Sequence, residues 1–163
     1  MKDLRVDEVL RHLHPPVGFK PWHGGPTILG ALRGVSEQLA AWQPDPGRHS
    51  IWELALHVAY WNYAVRRRLT GEPTGGFPRS PSNWPELPKQ RGANIWRDDR
   101  RLVRSEHDRL VEAIESFDAR RLGEISGQGK VAYADLVTGV LLHDTYHVGQ
   151  IQLLKRLARS WGV

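Results

Sequence analysis

Apolar residues recur at steps of three and four along four stretches of the chain, the spacing of one buried face on an α-helix. These stretches cover about residues 26–42, 50–69, 94–117 and 134–159. Ser50 and Glu53 form a capping-box pattern at the start of the second, and Asp135 is the expected cap of the fourth. A shorter helix is predicted over residues 3–13, ended by two prolines.

No strand-like alternation competes with these helices, so the predicted fold is all-α, a four-helix bundle. About seven residues join the first two bundle helices, which suits antiparallel neighbours. Residues 71–93 are long enough to traverse a helix of about 30 Å, so the second and third helices can run parallel. We interpret this segment as a plain crossover or a lid over the bundle end, with Trp84 as an expected pocket wall.

One domain is expected over residues 1–163, with an N-terminal extension at 1–25 and the bundle at 26–159. The chain has no cysteine, which excludes disulfides, cysteine-ligated metal sites and a thiol nucleophile. No signal-peptide pattern and no long apolar run are found, so a cytoplasmic protein without membrane partners is expected.

Net charge is +5 and the isoelectric point is about 9.9, which raises the question of nucleic-acid binding. The basic residues are scattered among acidic ones, and no nucleic-acid motif occurs. The Gly-Gly pairs at 24–25 and 75–76 also lack the context of a phosphate-binding loop. We therefore expect neither a nucleic acid nor a nucleotide as partner.

His143 and His147 lie four residues apart on the fourth helix, about 6 Å along the axis and about 40° around it. Both fall on the face expected to be buried, where unpaired imidazoles are costly. His57 lies beside the buried face of the second helix, near its middle. Three converging imidazoles predict a divalent metal site with an open position, because structural zinc sites usually have four protein ligands. The remaining histidines are expected to be solvated: His12, His14, His23, His49 and His107.

Ligand histidines usually donate their second ring N–H to a carboxylate, carbonyl or water. Asp144, Gln150, Asp99 and Glu106 are the candidates for this role. Asp144 could instead form a helix-surface ion pair. Asp99 and Glu106 become solvated if the third helix is rotated to bury Val103.

The second helix, HSIWELALHVAYWNYAVRRRLTG, followed by the fourth-helix motif LLHDTYHVGQI, resembles the DinB/YfiT superfamily. The resemblance covers about residues 26–159. It implies an up-down-down-up four-helix bundle whose three histidines hold a metal, typically nickel or zinc. Members include thiol-dependent transferases and isomerases as well as metal-dependent hydrolases, and many associate as homodimers.

The leading functional hypothesis is a metal-dependent enzyme in which the ion held by His57, His143 and His147 activates water or a low-molecular-weight thiol. Its substrate would be a small molecule, and the reaction a hydrolysis or S-transfer. Basic residues of the long loop, namely Arg79, Lys89 and Arg91, could attract an anionic thiol. The alternative is a non-catalytic, stress-associated module in which the metal only joins two helices.

Overall fold

The computed structural model describes residues 3–73, 75–127 and 130–163. Over these residues the chain forms six α-helices and one short 3-10 turn at Ala119–Arg121. The helices are α1 (Leu4–Leu13), α2 (Ile28–Ala31), α3 (Glu37–Ala41), α4 (Ile51–Thr70), α5 (Ala93–Ser116) and α6 (Tyr133–Ser160). The all-α prediction is confirmed, and the second, third and fourth bundle helices correspond to α4, α5 and α6.

Helix α4 begins and ends as its sequence predicts. The Ser50 hydroxyl accepts a hydrogen bond from the Glu53 amide at 3.2 Å, and the Glu53 carboxylate accepts from the Ser50 amide at 2.8 Å. This reciprocal pair is the capping box. At the other end Gly71 takes a left-handed conformation with φ of 69°, which glycine adopts without steric cost.

The prediction of one continuous helix over residues 26–42 is wrong. The chain forms two short helices there, because Ser36 caps α3 by accepting a hydrogen bond from the Leu39 amide. Gly34, with φ of 72°, reverses the chain between them. Ile28 and Val35 are still buried, so the apolar pattern is satisfied without a continuous helix.

The prediction that Asp135 caps the last helix is also wrong, since α6 follows Ala132 and has no side-chain cap. Backbone carbonyls of the preceding turn take the place of a side-chain cap at the start of α6. The amides of Tyr133 and Ala134 donate to the carbonyls of Glu124 and Leu122 at 3.0 and 2.9 Å. Two of the exposed amides of the first turn are thereby satisfied.

The core consists of two apolar clusters at opposite ends of the long helices. The first combines α2 and α3 with the N-terminal halves of α4 and α5 and the C-terminal half of α6. The second combines α1 with the C-terminal halves of α4 and α5 and the N-terminal half of α6. This distribution is expected of α4 and α5 running in one direction and α6 in the other. The complete up-down-down-up order stays a prediction.

Helix α4 packs against both α5 and α6, and α1 covers the latter two at one end. The middle of α4 therefore faces the middle of α6, where the candidate ligands lie. Among the helices described, none combines the length and apolar character that spanning a membrane requires.

Candidate metal centre

The three histidines of the sequence prediction come together between α4 and α6. His57 contributes from α4, and His143 and His147 contribute from successive turns of α6. Their ring centroids are 4.5 to 5.0 Å apart, and each ring offers a nitrogen within 4.8 Å of the others. Among the residues described, no further imidazole or carboxylate joins this group.

Two of the rings are held by hydrogen bonds from their outer nitrogens. His57 Nδ1 lies 2.6 Å from the carbonyl oxygen of Asn83, and His147 Nδ1 lies 2.6 Å from Gln150 Oε1. Both partners are acceptors, so the proton resides on Nδ1 in each neutral ring. The lone pair of Nε2 is then available on the inner side of both imidazoles.

The inner nitrogens have the spacing of ligands on one ion. His57 Nε2 and His143 Nε2 are 3.1 Å apart. Two nitrogens, each about 2.0–2.1 Å from a shared metal, are separated by about 2.9 Å at a right angle and about 3.3 Å at a tetrahedral angle. The observed separation falls between these values, and in the absence of a cation it also suits a hydrogen bond from His143 Nε2 to His57 Nε2. The donor set therefore fits a divalent metal.

Burial keeps these imidazoles in the form that binds metals. Desolvation lowers the pKa of His57 to about 4, although the hydrogen bond to the Asn83 carbonyl acts in the opposite direction. Desolvation also lowers the pKa of His147, opposed by its bond to Gln150. Both rings are consequently neutral at pH 7, and no proton has to leave before a cation binds.

Asp144 lies behind His143 rather than on the helix surface. It is buried, with Oδ1 3.7 Å from His143 Nδ1 and Oδ2 3.4 Å from Asn62 Nδ2. Burial raises the pKa of Asp144, while His143 and Asn62 lower it. His143 Nδ1 and Asp144 Oδ1 have no other partner in the described part of the chain. A small shift would turn their contact into the hydrogen bond that orients a ligand histidine.

The long segment between α4 and α5 covers the site. Besides the Asn83 carbonyl, it supplies Trp84, whose indole stacks on His57 with centroids 3.7 Å apart and planes 7° apart. His49 stacks on the opposite face of Trp84 at 3.9 Å. The segment thus covers one side of the site, where Trp84 packs on the ring of His57, and the expectation of Trp84 as a pocket wall stays a prediction.

A cavity of about 230 Å³ opens on the other side of His143. Its wall combines apolar side chains with the guanidinium of Arg68 and the carboxylate of Asp135. Trp61 lines the same cavity, with its ring 5.9 Å from that of His143. A small molecule in this cavity would contact a candidate ligand directly.

Two of the four carboxylate and amide candidates do not contact the histidines. Asp99 is fully buried, but it accepts hydrogen bonds from Trp52 Nε1 at 2.7 Å and Arg79 Nε at 2.8 Å. Glu106 is buried against Arg66 at 3.3 Å. Their prediction as partners of the ligands is wrong, because guanidinium and indole donors on α4 and in the loop satisfy them first. Arg79, expected to attract a thiol, is held in this ion pair.

The expectation that the other histidines are solvated is wrong for His107. It is only 1% exposed, because Val103 and Leu110 rather than Leu102 carry the buried face of α5, and His107 shares that side. His49 is exposed but belongs to the aromatic stack over the centre. Asn83 and His49 carried no signal in the sequence, since helical spacing says nothing of which loop residue approaches a ligand. Asn62 lies on α4 and was missed because its partner Asp144 is 82 residues away on α6.

Comparisons with known proteins bear on the whole bundle. None of the curated proteins and none of the solved structures compared with the chain matches it. The family model of the DinB superfamily matches residues 26–151, which include all three histidines and both partners of their outer nitrogens. The match covers most of the chain and agrees with the resemblance of the fourth-helix motif. The chain is therefore a member of the DinB superfamily.

Proposed function

We propose that this protein is a metal-dependent enzyme whose divalent ion, nickel or zinc, is held by His57, His143 and His147. The observation that carries the proposal is the convergence of their inner nitrogens, with outer nitrogens of two rings already engaged. A divalent metal supplies Lewis acidity, which makes a water or thiol nucleophilic near neutral pH. No cysteine of the chain could serve as nucleophile instead.

Two features favour catalysis over a purely structural metal. Structural zinc sites usually have four protein ligands, whereas three side chains converge here among the described residues. In addition, the cavity of about 230 Å³ reaches His143, so a small molecule can approach the centre. This volume is at the small end of ligand sites and suits a compact substrate.

Residues around the centre would orient the candidate ligands and bind the substrate. Asn83 and Gln150 hold the imidazoles of His57 and His147 in one tautomer. Trp84 excludes water from one face of His57. Arg68, at the wall of the cavity, can bind an anionic group of the substrate or of a low-molecular-weight thiol.

Metal content tests the first part of the proposal. Purified protein should carry about one divalent metal per chain by elemental analysis, since three imidazoles bind borderline cations well. His143→Ala should lose tight binding and keep its helicity, because the two apolar clusters supply the folding energy. His23→Ala, an exposed histidine outside the centre, is the matched control. Wild-type protein that neither contains nor takes up Ni²⁺ or Zn²⁺ would reject the metal.

A second experiment separates S-transfer from hydrolysis. Metal-loaded protein is incubated with a fluorogenic electrophilic bimane and each of several bacterial cofactor thiols, beside His57→Ala. We propose S-transfer, so the wild type should form the thioether faster with at least one thiol, because its centre presents the thiolate to the electrophile. Equal rates for both proteins, together with metal-dependent cleavage of model esters or amides, would assign hydrolysis. Loss of the helical far-UV spectrum in His57→Ala would instead support the structural role, because a metal that only joins two helices is needed for folding.

A further inference from the structure

A second cleft lies apart from the three candidate metal ligands. It opens between the end of α1, α2 and the N-terminal half of α5, and its volume is about 500 Å³. None of the three candidate ligands lines it. Five guanidinium groups do, from Arg33, Arg97, Arg100, Arg101 and Arg104.

The positive charge of this cleft is only partly neutralised by the protein. Asp98 contacts Arg101 at 2.9 Å and Arg97 at 3.9 Å. In the described part of the chain Arg33, Arg100 and Arg104 have no ion pair.

Four of the arginines also repel each other along α5. Arg97 and Arg101 are four residues apart, as are Arg100 and Arg104. Like charges at this spacing destabilise a helix. An anion bound in the cleft would relieve this repulsion.

The interior of the cleft also offers contacts for a ligand larger than a simple counterion. His107 lines it with a buried imidazole whose Nδ1 has no hydrogen-bond partner among the described residues. Leu13, Leu29 and Leu32 also line the cleft and form its apolar wall. The arrangement therefore combines several guanidiniums, one buried polar atom in need of a partner, and a surface for an apolar group.

A metal is the other ligand that this region could suggest. His14, His107 and Asp108 offer ligand atoms within 4.8 Å of one another. The two carboxylates nearby, Asp98 and Asp108, do not balance the five arginines, so the region stays positive, which opposes a second cation. The same charge favours an anion, and a planar guanidinium can bind phosphate through two parallel hydrogen bonds.

We propose that this cleft binds a polyphosphorylated small molecule of nucleotide size, with its phosphates on the arginines and its apolar part on the leucine wall. The volume lies within the usual range of small-molecule sites, about 300–1,000 Å³. Recognition by side chains explains why the sequence contains no glycine-rich phosphate loop. The site is independent of the metal centre and of the reaction proposed for it.

Isothermal titration of the metal-loaded full-length protein tests the site, with ATP, inorganic tripolyphosphate and adenosine as probes. Tripolyphosphate and ATP should bind, ATP more tightly because its base adds apolar contact, and adenosine should bind far more weakly. Arg100→Gln/Arg104→Gln should weaken ATP binding by about tenfold or more, since two charge-assisted contacts are lost. Arg48→Gln/Arg91→Gln removes the same charge from exposed positions outside the cleft and should bind as the wild type does.

One further variant and a competitor sharpen the outcome. Arg100→Lys/Arg104→Lys keeps the charge and loses the planar fork, so it should bind at an affinity between the wild type and the glutamine variant. Absence of binding by the wild type, or equal weakening in the cleft variant and the control, would overturn the proposal. So would a single-stranded oligonucleotide that binds more tightly than ATP and loses as much affinity in the cleft variant, because the cleft would then be a nucleic-acid site. Circular dichroism of each variant excludes unfolding as the cause of a loss.

Discussion

Replacement of Gln150 by alanine should weaken metal binding without removing it. The change deletes the acceptor 2.6 Å from His147 Nδ1 and leaves the three candidate ligands in place. The His147 ring is then free to rotate and to move its proton to the inner nitrogen. Metal binding must therefore overcome the free-energy cost of fixing the His147 ring and its tautomer.

The size of this effect follows from the contacts that remain. Loss of a hydrogen-bond partner behind a ligand usually lowers affinity about 10- to 100-fold, or by about 1.4–2.7 kcal/mol. His57 keeps its bond to the Asn83 carbonyl, so the centre retains one oriented ring. We accordingly expect the lower half of that range rather than complete loss.

Competition with a chelating dye measures the affinity directly. Gln152→Ala is the matched control, because Gln152 lies on the same helix and contacts none of the histidines. Gln150→Glu keeps an acceptor at the same position and should retain most of the affinity. Equal affinities of the Gln150→Ala and Gln152→Ala proteins would refute the role of Gln150 in holding His147.

Two further predictions concern stability. Asp99→Ala should lower the free energy of unfolding by about 3 kcal/mol in urea titrations, because Trp52 and Arg79 lose their buried acceptor. Asp99→Asn, which still accepts from Trp52, should lose less, and equal losses would contradict this account. Burial lowers the pKa of His107 to about 4, below its ordinary 6.5. The unfolded chain therefore binds more protons in that interval, and His107 alone should account for a loss of about 3 kcal/mol in the free energy of unfolding as pH falls from 6.5 to 4. In the metal-free protein this loss adds to that caused by His57. His107→Leu should flatten this dependence, whereas an unchanged slope would show that other groups cause it.

The long helices and the ligands could be predicted because short-range rules decide them. The capping box of Ser50 and Glu53 and the helical spacing of His143 and His147 are visible in a few residues of sequence. The same rules failed over residues 26–42, where a Ser36 cap and a left-handed Gly34 interrupt an apolar spacing that is otherwise helical. Local hydrogen bonds there determine the backbone conformation, although the apolar residues keep a helical spacing.

The partners of the site could not be predicted because they depend on long-range packing. Asn83 and Trp84 reach His57 from a loop 26 and 27 residues away, and no periodic pattern fixes where such a loop folds back. The rotation of α5 is a similar case, since either of two apolar faces fits the sequence. Burial of Trp96 and Val103 selects one face, and it carries His107 inward.

The contact of one loop with one ligand makes two equilibria interdependent. Asn83 and Trp84 both touch His57, so ordering of the loop and capture of the ion favour each other by the same factor, as linkage requires. The loop amides should then exchange hydrogen more slowly in the metal-loaded protein. In the other direction, a loop held open by a bulky ligand or a partner surface would release the ion, so access to the centre and retention of its metal are regulated together.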